Sequence, residues 1–232
     1  MYSSCNARAV TLEQLSHQLS DGEWRRGLAA APSGFTELDA SLPGGWPMGV
    51  VCELMPAVPG IGELGLLLPA LSQLAQAGRH IAWIAPPHHP YAPALAQHGI
   101  PLGRVLVVQT QGVQESLWAA EQALRCPAVG AVLSWPAVIT DKNVRRLQLA
   151  AEAGSSLGIL YRPAEAAREP SPAAIRLRLQ PTPDGLSLAV EVQKCRGGRA
   201  GASLRLPLPL QPTTPQATSH ALAVHSLTAA GA

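Results

Sequence analysis

"GVVCELMPAVPGIGELGLLLPALSQLAQA", residues 49 to 77, decides the fold. It opens with an apolar run, Gly49 to Leu54, that reads as a strand. A loop rich in proline and glycine follows, and then apolar residues at helical spacing, which predict a helix from about Glu63 to Ala77 with a bend at Pro69. Strand, glycine loop and helix is the local order of a phosphate-binding loop. Such a loop needs backbone N–H groups to cradle phosphates, a lysine to neutralise them and a hydroxyl for magnesium. Gly60 and Gly62 keep the loop tight, but Glu63 stands at the lysine position and Leu64 at the Ser/Thr position. A carboxylate about 4 Å from a phosphate is repelled by about 4 kcal/mol at intermediate dielectric. Pro56 and Pro59 also remove two backbone donors. The stretch Pro56, Gly60, Gly62, Glu63, Leu64 is therefore read as a vestigial loop that holds no cofactor.

Working outward, strands and helices alternate. Strands are expected at Ile81–Ala85, Val105–Gln109, Ala131–Ser134 and Leu157–Tyr161. Helices are expected at Ala92–His98, Val113–Leu124 and Asp141–Ala153. Such alternation calls for an α/β fold with a mostly parallel sheet covered on both faces. Ala174–Leu179 and Leu186–Gln193, joined by the turn at 181–185, read as an antiparallel hairpin that extends the sheet, with a further short strand at Ser203–Leu206. Thr11 and Gln14 suggest a capping box, and Leu12, Leu15 and Leu19 follow at helical spacing, so a short amphipathic helix is expected there as a partner or self-packing element. The chain thus divides into residues 1–33, an N-terminal helix and linker; 34–206, the α/β domain; and 207–232, a Pro/Thr/Ala-rich tail expected to be disordered.

Composition narrows the function. The chain has 232 residues, 47% of them hydrophobic, with 17 basic and 15 acidic side chains and a net charge of +2, so no global field points to nucleic acid. The four cysteines are scattered, without a C-x-x-C pair. His80, His88, His89 and His98 form no compact ligand pattern, and no metal is expected. No run reaches the ~18–20 apolar residues of a membrane span, and the N-terminus lacks a secretory signal, so a cytoplasmic protein is expected.

The entry "GFTELDASLPGGWPMGVVCELMP", Gly34 to Pro56, resembles the start of a RecA-type ATPase core. The segment from Gly62 to Gln109, with "ALRCPAVGAVLSWP" and "AAEAGSSLGILYRP", is similar to both the division inhibitor SulA and the translesion-synthesis accessory ImuA. "AVEVQKCRGGRAG" resembles the ImuA ending, and on that segment the chain is identified as a member of the ImuA family. The resemblance implies a RecA-like core and a non-catalytic role in SOS-induced error-prone DNA synthesis. Its implied partners are ImuB, an error-prone replicative-type polymerase subunit and RecA, with association with the nucleoid during DNA damage. The alternatives are a SulA-like inhibitor that binds FtsZ and an active RecA-like ATPase. Against the ATPase, the strand "GAVLSW" ends in Ser134 where a magnesium-organising acid is needed.

Other candidates are local. Arg176, Arg178, Lys194, Arg196 and Arg199, with Arg205 nearby, form a basic cluster around the hairpin. It has two readings, a weak DNA or partner contact and a sheet edge protected by charge. Trp83, Trp118 and Trp135 are expected to pack in the domain, whereas Trp24 and Trp46, in loop-like contexts, are candidate partner anchors, with burial against the domain the commoner fate. Homo-oligomerisation is left open.

Overall fold

The structure, a computed structural model, describes residues 29–136, 138–208 and 223–226. The Leu12/Leu15/Leu19 helix and Trp24 lie outside these residues. A short ribbon of β1 (Ala30–Ala31) and β2 (Trp46–Pro47) precedes the main sheet, with helix α1 (Thr36–Ser41) between the two strands. Next come β3 (Val50–Pro56), α2 (Leu68–Gln76), β4 (His80–Ile84), α3 (Ala92–Gln97), β5 (Val105–Gln109), α4 (Val113–Arg125), β6 (Val129–Ser134), α5 (Asp141–Gly154) and β7 (Leu157–Tyr161). The chain continues through β8 (Ile175–Pro181), β9 (Ser187–Cys195), β10 (Ser203–Pro207) and β11 (Ala223–Ser226).

Nine strands form one sheet in the order β10-β9-β8-β3-β7-β6-β4-β5-β11. Pairing is parallel from β8 across to β11, and antiparallel only at β8–β9 and β9–β10. The two-residue period of a strand sorts side chains between two cores. Cys52, Leu54, Leu133, Ile159 and Tyr161 join the α1–α2 side with Leu38, Trp46, Leu67 and Leu71. Val51, Ala82, Ile84, Val132 and Leu160 join the α4–α5 side with Leu117, Leu124, Val144 and Leu147.

Two local features differ from the sequence reading. The helix expected over 63–77 is split into a 3-10 turn, Glu63–Leu66, and α2, which starts at Leu68. Pro69 falls in the first turn of α2, where the missing N–H has no intrahelical acceptor to lose, so it starts a helix instead of bending one. Residues 223–226, placed in the tail by composition, pair in parallel with β5. Four residues are too few for a period to register.

The α4–α5 contact depends on one glycine. A Cβ on Gly154 would lie 2.1 Å from the carbonyl oxygen of Leu124, so the C-terminal ends of the two helices touch backbone to backbone. Arg79 fastens the same corner, donating to the carbonyls of Ser155 at 2.8 Å, Val129 at 2.6 Å and Gly154 at 3.0 Å. Gly154→Ala is expected to cost about 1–3 kcal/mol through overpacking. Denaturant unfolding should show this as a lower midpoint at unchanged slope.

Candidate functional site

In an open α/β sheet, ligands and partners meet the loops that follow the parallel strands. Here that carboxyl edge is built from the segments after β3, β4, β5, β6 and β7. The loop after β3 turns through Gly60 (φ 83°) and Gly62 (φ 93°), left-handed conformations that suit glycine. Glu63 folds back, and its Oε1 accepts the N–H of Gly60 at 3.0 Å. A backbone donor that a phosphate loop would aim at its ligand is thus taken by a carboxylate of the same loop. Leu64 packs against the core. Leu208 packs over the loop, so close that a Cβ on Gly62 would meet its Cδ1 at 2.8 Å.

Beside the loop, three rings fill the end of the sheet on the α1–α2 side. Trp135 stacks on Tyr161 with centroids 4.7 Å apart and planes 4° from parallel, and on Trp83 at 5.8 Å and 22°. Burial, aided by Glu63, raises the Tyr161 hydroxyl well above its ordinary pKa. Ser134 is buried and lies level with Ile84 and Leu160, on the opposite, α4–α5 side. The edge is therefore occupied by aromatic packing and by a carboxylate bound to its own loop.

The loops of the same edge carry four exposed apolar side chains among polar ones. Val58 follows β3, Tyr91 follows β4, Val113 follows β5 and Val138 follows β6, and they are 55%, 61%, 36% and 68% exposed. In sheet order, β3 to β5 spans five strands, about 19 Å at ~4.8 Å per strand. Trp118 on α4 is 53% exposed as well. The sequence reading packs Trp118 into the domain, and the structure exposes it; Trp46, a candidate anchor with burial as the commoner fate, is buried. Trp46 is fully buried and donates its indole N–H to the Leu66 carbonyl at 3.2 Å. A signal for Trp118 was present: Leu117, Ala120 and Leu124 form the buried stripe of α4, and Trp118 is one step off it.

The basic cluster separates into different roles. Arg176 is buried and donates from Nε to Glu53 Oε2 at 2.7 Å, with further bonds to the carbonyls of Glu169 and Ala166. Glu53, also fully buried, accepts from Arg162 at 3.0 Å and from Ser171 at 2.9 Å through Oε1. Arg176 thus belongs to an internal ion-pair network that ties β3 to β8 and is removed from any surface contact. Arg178 faces Glu191 at 3.7 Å, and Arg205 pairs with Asp184. Lys194, half-buried, donates to the Ser171 carbonyl at 2.8 Å. Arg196 and Arg199 are exposed. Among the described residues, no three His, Cys, Asp or Glu side chains group as metal ligands, and no helix is long and apolar enough to cross a membrane.

Residues 49–158, the parallel part of the sheet with its helices and edge loops, match the family model described as Cell division inhibitor SulA. A cell division inhibitor SulA from Edwardsiella piscicida is 36% identical over 127 residues, 49% of this chain and 76% of the relative. That from Photorhabdus laumondii is 31% identical over 111 residues, 48% of this chain and 63% of the relative. That from Serratia proteamaculans is 30% identical over 115 residues, 50% of this chain and 68% of the relative. These matches overturn the ImuA identification, which rested on the RecA-like entry from Gly34 and on the "AVEVQKCRGGRAG" segment, both reaching beyond the matched region. The translesion-synthesis role, the P-loop label and the partners ImuB, polymerase subunit and RecA fall with it.

Proposed function

From the premise that this chain belongs to the SulA family of cell division inhibitors, we propose that it blocks division by binding FtsZ and stopping its polymerisation, without catalysis of its own. The observation that carries this reading is the row of exposed apolar side chains at the carboxyl edge, Val58, Tyr91, Val113 and Val138, all inside the family match. An edge about 19 Å long is long enough to take part in a standard interface of roughly 800 Å² a side, and its exposed apolar side chains supply the candidate contacts. The absence of catalysis is supported by Glu63, which occupies the Gly60 amide, and by the ring stack beside it. The mostly parallel sheet with its antiparallel extension supports a RecA-like core. The place of action is the cytoplasm, as part of the SOS response.

Light scattering of GTP-driven FtsZ assembly tests the reading. Inhibition should titrate with the ratio of this protein to FtsZ and be complete near stoichiometry, with excess FtsZ escaping. Unchanged assembly at a several-fold molar excess, with no co-sedimentation, would refute it. Inhibition that grew with incubation time at substoichiometric protein would point instead to an enzyme.

A further inference from the structure

The seam between α4 and α5 opens into a groove on the outside of the domain. Its walls are two facing stripes at helical spacing, Gln114, Leu117, Trp118 and Glu121 from α4 and Arg146 and Leu147 from α5. The groove holds about 280 Å³. That is short of the roughly 300–1,000 Å³ of small-molecule sites, and it suits a side chain or two of a partner. Leu117 and Leu147 are buried members of the α4–α5 core and make the groove apolar at its base. Trp118 beside them keeps half its surface in solvent. Among the described residues that line the groove, Glu121 is the one carboxylate. It is nearly buried and is shared by Arg125, at 2.8 Å, and Arg146, each of which stays about half exposed. A guanidinium has five N–H donors, and both arginines turn one nitrogen to Glu121.

We propose that this groove takes a segment of FtsZ that carries an apolar side chain beside a carboxylate, with the apolar group between Trp118, Leu117 and Leu147 and the carboxylate on Arg146. The inference rests on the division reading and extends its contact from the edge loops onto the helices. Continuity points to the same partner. α4 starts at Val113 and α5 starts three residues after Val138, so both helices run back from the carboxyl edge and the groove begins where the exposed row ends. A partner that covers roughly 800 Å² on this side reaches from one to the other. Charge sets the chemistry of the segment. Two guanidiniums on one carboxylate attract an anion and repel a basic segment, and Arg–carboxylate bonds are of the strong, charge-assisted kind. A second copy of this chain fits less well, because a two-fold contact sets the same patch against itself and brings these arginines towards their own copies. Tryptophan and arginine, the two exposed side chains offered here, are the residue types enriched where binding energy concentrates.

The test is binding of the full chain to FtsZ kept unassembled in GDP, measured by biolayer interferometry at low and at high salt. Trp118→Ser should weaken binding at least about tenfold, and Arg146→Glu at least as much. The parent should lose affinity as salt is added, and Arg146→Gln should lose less, a difference in slope that a purely structural role for Arg146 would not produce. Should Arg146→Glu not fold by circular dichroism, Trp118→Ser and Arg146→Gln carry the test. Binding by the parent that neither of these two variants changes would overturn the groove and leave the division reading standing. No binding by the parent would overturn both. A parent that sediments alone as a dimer, with Trp118→Ser a monomer, would assign the groove to a second copy and overturn the proposal as well.

Discussion

Glu53→Ala is expected to destabilise the protein by about 3–5 kcal/mol, because it leaves buried arginines without their counter-charge. The Glu53 side chain is 0% exposed, and those of Arg176 and Arg162 only 8% and 12%. Three donors converge on its carboxylate, from Arg162, Arg176 and Ser171. At roughly 2–4 °C per kcal/mol for a chain of this size, the melting temperature should fall by about 10 °C. The cost belongs to the unpaired charge more than to the lost bonds, and a second variant separates the two. Glu53→Met with Arg176→Met removes both partners, and Arg162 keeps Glu169 at 3.4 Å. That double variant should recover most of the loss, since apolar replacements of buried pairs are often neutral or better. If it melts as low as Glu53→Ala, the network is contributing through geometry and not through charge balance.

Tyr91→Glu combined with Val138→Glu should raise the concentration needed to inhibit FtsZ assembly by more than about tenfold. Both side chains are more than 60% exposed, so the fold should be unaffected. Placing carboxylates in a contact that excludes water costs several kcal/mol, and each 1.4 kcal/mol is a factor of ten. Leu186→Glu is the matched control: it is 50% exposed but lies on the hairpin, outside the family match. It should inhibit like the parent. A double variant as potent as the parent would move the docking surface elsewhere on the domain while leaving the division reading intact.

The alternation of strands and helices was readable because each element carries its own period, and the hairpin because Asp184 and Gly185 mark its turn. Gly185 takes a φ of 67°, and Asp184 Oδ1 accepts from Leu186 N–H at 3.1 Å. The Glu53 network was not readable. Its partners lie more than a hundred residues along the chain, and a lone glutamate in "VVCELM" carries no sign of where its counter-charge sits. Arg176 and Arg178 illustrate the same limit: period 2 put them on one face, yet it could not say that loop 162–171 covers the first and leaves the second half-exposed. The carboxyl edge was half visible. Glu63 and Leu64 showed that the loop had the wrong side chains for phosphate, but the apolar row is made of single residues in four separate loops. Each is unremarkable alone, and only strand order lines them up. The ImuA resemblance misled for a related reason: the central segment is common to both families, and the entry and hairpin that point to ImuA lie at the margins of the matched region.

The strand order also sets a timetable for synthesis. β3 is the first strand of the main sheet to leave the ribosome, yet both its neighbours, β7 and β8, come roughly a hundred residues later. At about 5–20 residues per second it waits some 5–20 s, apolar and unpaired. β4 and β5 are made consecutively and can pair at once. The nascent chain should therefore assemble from β4 and β5 inward, with β3 joining only once β7 and β8 arrive. During that interval, "VVCELM" is the segment a holding chaperone would be expected to grip.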